Sequence, residues 1–177
     1  AARRIAFIGE NTDFAGRMGF PSDLQNEKNL VNRLDFHRSI KTPYEVESIR
    51  EANVRGLVAH AAAEQAFLAG GSERDIHRAF MAANDVVEHE LPYHSIIGLD
   101  EKSAILHYQN RRAASGKDST VLLVDAGYRQ NGYASDITRT FPVNGKFSEP
   151  QRALYEVVLS AQYAAIDAVR PGNHNGA

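Results

Sequence analysis

The dipeptide Asn131-Gly132 lies between two runs of strand-forming residues, "STVLLVDAGYRQ" and "GYASDITRTFPV", and no other feature constrains the chain as tightly. A two-residue type I′ turn needs positive φ at both central positions, which asparagine tolerates and glycine adopts freely. The two runs are therefore expected to pair as an antiparallel hairpin. Closing that turn sets Gln130 against Tyr133, Asp125 against Thr138 and Gly127 against Asp136. Side chains alternate between the faces of a strand, so Asp125 and Asp136 fall on the same one. They are diagonal neighbours, with backbones roughly 7–8 Å apart.

Two carboxylates held that close repel each other unless one takes up a proton or a cation intervenes. The residues alone leave two readings open. Both acids lie on a solvated face and the glycines serve only the turn, or both converge on a divalent cation such as Mn²⁺, Mg²⁺ or Zn²⁺, which oxygen donors suit. The 177 residues include no cysteine, so a metal must be held by carboxylate, imidazole or main-chain oxygen. Disulfide and thiolate chemistry are excluded on the same ground, and the composition fits a reducing cytoplasm. With 20 Lys and Arg against 22 Asp and Glu, the charge is nearly balanced. No nucleic-acid partner and no anionic membrane is expected, and a small molecule or peptide is the better ligand. No apolar run approaches the roughly 18 residues that span a bilayer.

The remaining text places helices around the hairpin. "RRIAFIGE" is a short strand-like run, and residues 10–35 show no clear period. "TPYE" then offers Thr42 as N-cap, Pro43 at the first helical position and Glu45 three residues on, a capping box that opens a long helix. Val46, Ile49, Asn53, Leu57, Ala61 and Leu68 form its apolar stripe as far as Gly70-Gly71. Ser72 and Asp75 open a second helix with Ile76, Ala79, Phe80, Ala83 and Val87 on its stripe. "HSIIGL" and "SAILHYQ" read as strands ahead of the hairpin, and Ser148 with Gln151 caps a last helix that ends before Pro171-Gly172. The order helix, helix, antiparallel sheet, helix is α+β.

Several single residues admit a functional and a plain reading. His107 in "ILHYQ" is expected on a strand that reaches the face of the aspartates, or is a hydrogen-bonded structural histidine. Tyr93 in "LPYHS" is a site residue or an ordinary turn aromatic, and His94 a ligand or a loop residue. His60 and His77 sit in amphipathic helices as surface or half-buried positions, and Arg111-Arg112 is most simply a solvated loop.

"LLVDAGYRQNGYASDITRTFPVNGKFSEPQRALYEVVLSAQYAAIDAVRPG" resembles the Xaa-Pro dipeptidases, or prolidases, of the pita-bread metallopeptidase family. "LDFHRSIKTPYEVESIREAN" and "LPYHSIIGLDEKSAILHYQN" resemble its linker-to-helix and substrate-pocket segments. The resemblance implies the first half of a pita-bread fold over residues 36–177, a curved antiparallel sheet covered by helices, preceded at 1–35 by the end of a small N-terminal domain. It implies that Asp125 and Asp136 bind a dinuclear metal centre, usually manganese, with Asp136 bridging. His107 matches a catalytic-pocket histidine that contacts substrate, Leu106 a wall of that pocket and Tyr93 a neighbouring subsite. The implied reaction is metal-dependent hydrolysis of a dipeptide with C-terminal proline. Family members continue for about as long again, and that part supplies a histidine and two glutamates to the metals. His174 is the only histidine after Asp136. The chain is therefore expected to be truncated, inactive alone and homodimeric. A non-catalytic pita-bread binding module and an organophosphate-hydrolysing relative are the alternatives.

Overall fold

A computed structural model describes residues 5–173, and the chain divides into two compact units, residues 1–47 and 48–177. His174 lies outside the described residues, as do Arg3 and Arg4 of the expected first strand.

The first unit is more regular than its sequence suggests. Instead of an aperiodic stretch, it contains helix α1 (Thr12–Arg17) and helix α2 (Lys28–Ser39). Each opens on a side-chain cap, Asn11 Oδ1 accepting from Phe14 N–H at 2.9 Å and Glu27 Oε2 from Leu30 N–H at 2.7 Å. The caps satisfy donors that the first turn of a helix leaves unpaired. The strand-like run contributes only an isolated parallel bridge between Phe7 and Gln25. The boundary expected after residue 35 falls inside α2.

Helix α3 (Pro43–Leu68) begins where the capping box puts it, with Thr42 N–H donating to Glu45 Oε2 at 2.6 Å and Glu45 N–H to Thr42 Oγ1 at 3.4 Å. Its buried face corrects the sequence reading. Ala52, Ala59, Ala63 and Phe67 are buried, whereas Leu57 and Leu68 of the expected stripe are exposed. Small residues let the helix approach the sheet closely, and that close packing selects the face. Helix α4 (Glu73–Ala82) has the full Ser72–Asp75 capping box and buries Ile76 and Phe80. His60 and His77, expected at or near the surface, are both buried.

Strand β1 (Ile96–Leu99) pairs antiparallel with β2 (Val121–Ala126), which pairs antiparallel with β5 (Ile137–Pro142). Leu122, Val124 and Ala126 alternate inward onto Ile97, Leu99, Phe67 and Phe80 and form the core. Each fully buried large apolar side chain there stabilises the fold by about 1.5–3 kcal/mol. "SAILHYQ" is not a strand: Asp100–Ala104 forms a 3₁₀ turn, and Asp100 and His107 both hold positive φ, 48° and 53°. Asp100 Oδ1 accepts from Thr120 N–H and Val121 N–H, so the segment caps the start of β2 instead of pairing beside it.

The hairpin closes as the turn chemistry requires. Asn131 and Gly132 have φ of 51° and 84°, Gln130 faces Tyr133 across β3 (Arg129–Gln130) and β4 (Tyr133–Ala134), and Asp125 faces Thr138. The ladder nevertheless breaks between these two pieces. Tyr128 N–H donates to the Ser135 hydroxyl at 2.9 Å, and a Cβ on Gly127 would collide with the Ser135 carbonyl. Helix α5 (Glu149–Ala168) follows, opened by Gln151 Oε1 accepting from Ser148 N–H at 2.9 Å, and none of its residues is buried. Among the described residues no helix is long and apolar enough to cross a membrane.

The close approach at Gly127 gives a direct test. Gly127→Ala is expected to destabilise the second unit by on the order of 2–3 kcal/mol through overpacking against backbone. Urea denaturation followed by far-UV circular dichroism measures it, and an unchanged midpoint would contradict the packing described.

Candidate metal centre

Two strands and one loop build the site. β2 carries Asp125 as its penultimate residue, on the face opposite the core, and Asp136 immediately precedes β5 at the break in the ladder. The loop ahead of β1 brings Tyr93, whose hydroxyl lies 3.0 Å from Asp125 Oδ1 and 2.9 Å from Asp136 Oδ1. The two carboxylates thus converge on one oxygen atom. A phenol carries a single proton, so it donates to one carboxylate at a time and the other lies at contact distance. Burial, with the hydrogen bond to Asp136 second, raises the Tyr93 pKa far above the ordinary tyrosine value. Both effects favour the protonated, donating form of the phenol.

The wall behind the pair is a buried histidine. His60 Nε2–H donates to the Ala126 carbonyl at 3.1 Å, one residue beyond Asp125, and its ring packs edge-on to Phe80 at 5.5 Å. Burial holds the imidazole below its ordinary pKa, against the opposing effect of the hydrogen bond it donates to the Ala126 carbonyl. A neutral ring thus ties α3 to the strand end that carries Asp125. Nothing in the spacing of the sequence connects His60 to Ala126, which are 66 residues apart.

The other expected site residues stand differently. Leu106 is 84% exposed, and His107 is exposed on the loop after the 3₁₀ turn. Among the described residues no hydrogen bond or ion pair joins His107 to either aspartate. Its left-handed backbone rules out the strand position expected for it. Tyr93, expected as a subsite residue, touches both acids instead of only flanking them. Its position after Pro92 shows that it enters a strand but not that its hydroxyl reaches two strands further on.

The donor set fits part of a divalent-cation site. Asp125 and Asp136 supply hard oxygen atoms aimed at one point, as a Mn²⁺- or Mg²⁺-like ion requires. Among the described residues there is no group of three or more His, Cys, Asp or Glu that could hold a metal.

Residues 47–177 match the model of metallopeptidase family M24. The chain belongs to that family. It is 39% identical over 174 residues to an Xaa-Pro dipeptidase of Pseudoalteromonas atlantica, covering 96% of this chain and 38% of the relative. It is 42% identical over 168 residues to Xaa-Pro dipeptidase 2 of Idiomarina loihiensis, covering 94% and 37%. Among solved structures, zinc-substituted Escherichia coli aminopeptidase P in complex with product superposes with a TM-score of 0.67 at 35% identity, over 75% of this chain and 30% of that one. This M24 chain thus carries part of the pita-bread fold, a mixed helical and antiparallel-sheet architecture, and spans less than two fifths of the length of those dipeptidases. M24 membership implies a divalent metal.

Removing the shared donor tests the geometry of the pair. Tyr93→Phe is expected to cost about 1.5–3 kcal/mol, the usual range for a hydrogen bond to a charged group. The loss should be largest at low ionic strength, where like charges are least screened. In a double-mutant cycle, Asp136→Asn should return part of that loss by removing one of the two facing charges. Additive effects in the cycle would show that the three side chains do not interact.

Proposed function

We propose that the chain contributes the aspartate pair, Asp125 and Asp136, to a dinuclear manganese centre of a peptidase that cleaves dipeptides with C-terminal proline. The observation that carries this reading is the convergence of both carboxylates on the Tyr93 hydroxyl, in a chain about 40% identical to enzymes named Xaa-Pro dipeptidase. A bound metal would supply Lewis acidity toward the amide carbonyl and a nucleophile active at neutral pH. The residues of this chain do the rest. The two carboxylates hold and orient the cation, Tyr93 holds the pair together by donating its proton, and His60 fixes the end of β2 behind them. His107, Leu106 and Tyr93 line the substrate side in this reading, with His107 contacting the dipeptide.

Two carboxylates are fewer donors than divalent cations normally take, so this chain alone should bind metal weakly and hydrolyse Gly-Pro no faster than background. Calorimetric titration with Mn²⁺ tests the site. Weak binding that falls by roughly tenfold or more in Asp125→Asn supports it. Affinity indifferent to that substitution would dispose of the aspartate site.

The chain also presents apolar surface that suits a homodimer. Leu154, Val157, Val158, Tyr163 and Ile166 on α5, and Val54, Leu57 and Val58 on α3, are all more than 50% exposed. Apolar surface of that extent favours association, and two-fold pairing is its commonest form. A cytoplasmic location agrees with the cysteine-free composition. Sedimentation at micromolar concentration should give twice the 19.5 kDa chain mass. A well-folded, non-aggregating monomer counts against the dimer.

A further inference from the structure

Glu73 is the first residue of α4 and is fully buried, a costly place for a carboxylate. It is held there by four contacts. Oε1 accepts from Leu99 N–H at 3.1 Å and lies 3.5 Å from Arg112 Nη2. Oε2 accepts from Arg112 N–H at 2.6 Å and from the Tyr108 hydroxyl at 2.8 Å.

These donors share one property. Leu99 ends β1, and Tyr108 and Arg112 stand at the far side of the excursion that begins there. One carboxylate therefore closes a loop running from Leu99 to Arg112. Leu106 and His107 lie inside that loop, on its exposed portion. Neighbouring contacts secure the same end: Arg74 N–H donates to the Arg112 carbonyl at 3.3 Å and Arg74 Nε–H to the Arg111 carbonyl at 3.0 Å. Packing alone does not account for an acid at this position, since an apolar side chain would fill the space without a desolvation cost. A carboxylate adds what an apolar residue cannot, directed acceptors for donors that arrive from two ends of one segment.

We propose that Glu73 is the positioning residue of the Leu106–His107 loop, a single buried carboxylate that fixes where the loop presents its histidine. It acts through Leu99, Tyr108 and Arg112 and touches no substrate. The assignment of Leu106 and His107 to the substrate pocket rests on the function proposed above; the tie itself is measurable whatever binds there.

Hydrogen exchange of the 177-residue chain, resolved by mass spectrometry, tests the tie in Glu73→Gln and Tyr108→Phe. The amide introduced by Glu73→Gln would turn a donor toward one of the incoming N–H groups, whereas Tyr108→Phe spares the contacts to Leu99 and Arg112 and removes those of its hydroxyl to Glu73 Oε2 and to the Asn110 carbonyl, 2.6 Å away. Exchange across residues 105–112 should accelerate roughly tenfold or more in Glu73→Gln and by a smaller factor in Tyr108→Phe, with Leu122 and Val124 in β2 unchanged. A purely structural role would instead speed exchange throughout the sheet, and that result, or unchanged exchange at 105–112 in both variants, overturns the proposal. If Glu73→Gln does not fold, Tyr108→Phe decides alone by the same local comparison. The pocket reading is separated by following the His107 imidazole by NMR while Gly-Pro is added with Mn²⁺. A resonance that ignores the dipeptide removes the pocket assignment, and localised exchange still supports the tie.

Discussion

The position of the two aspartates depends on the register of one hairpin. Asn131 and Gly132 adopt the left-handed pair of a type I′ turn, and the pairing they start is continued by Asp125 opposite Thr138. A shift of one residue in that pairing would send Asp125 and Asp136 to opposite faces of the sheet. The register survives even though the ladder is interrupted at Gly127 and Tyr128, where the Ser135 side chain replaces a strand contact. Ser135 N–H still donates to the Tyr128 carbonyl at 2.9 Å and Ile137 still pairs with Ala126, so the chain is held on both sides of Asp136 and its carboxylate meets the same hydroxyl as Asp125.

Local signals in the sequence were legible where the chain itself supplies both partners of an interaction. The Thr42–Glu45 and Ser72–Asp75 boxes and the Asn131-Gly132 turn each join residues at most three apart, and all form as expected. The convergence of Asp125 and Asp136 was legible for the same reason, since a turn and a period of two are enough to derive it. Interactions between distant segments were not. Tyr93 reaches residues 32 and 43 positions away, and Glu73 reaches donors up to 39 positions away. The "SAILHYQ" segment shows the opposite failure. Its apolar residues fit a strand locally, but the contacts of Asp100 with Thr120 and of Glu73 with Tyr108 fold it into a turn and loop.

Buried polar groups specify the arrangement around the site more than the apolar core does. Ile97, Leu122 and Val124 bury surface without choosing a direction, and exchanging one aliphatic for another of similar volume would leave the sheet where it is. His60 and Glu73 do choose. The imidazole reaches one carbonyl at the end of β2, and the carboxylate gathers four contacts from β1 and the loop after it. Each loses hydration on burial, and a misplaced partner would leave that loss uncompensated. The helices α3 and α4 thereby hold the strand that carries Asp125 and the loop that carries His107 in defined places.

The orientation of α3 follows from the same demand. Burying Leu57 and Val58 in place of Ala59 and Ala63 would remove more apolar surface from water at those positions, by roughly 1–2 kcal/mol per residue, but would expose Phe67, which the present face buries. Large side chains would also push the helix away from the sheet, and His60 would no longer reach the Ala126 carbonyl at 3.1 Å. The small face therefore packs inward to bring the histidine within range, and the large face is left outside. With α5 exposing Leu154, Val157 and Val158 as well, the unit is under-covered on two helices at once. In the proposed homodimer such faces would cover one another, and the surface left outside to keep His60 in range would become the surface that joins two copies.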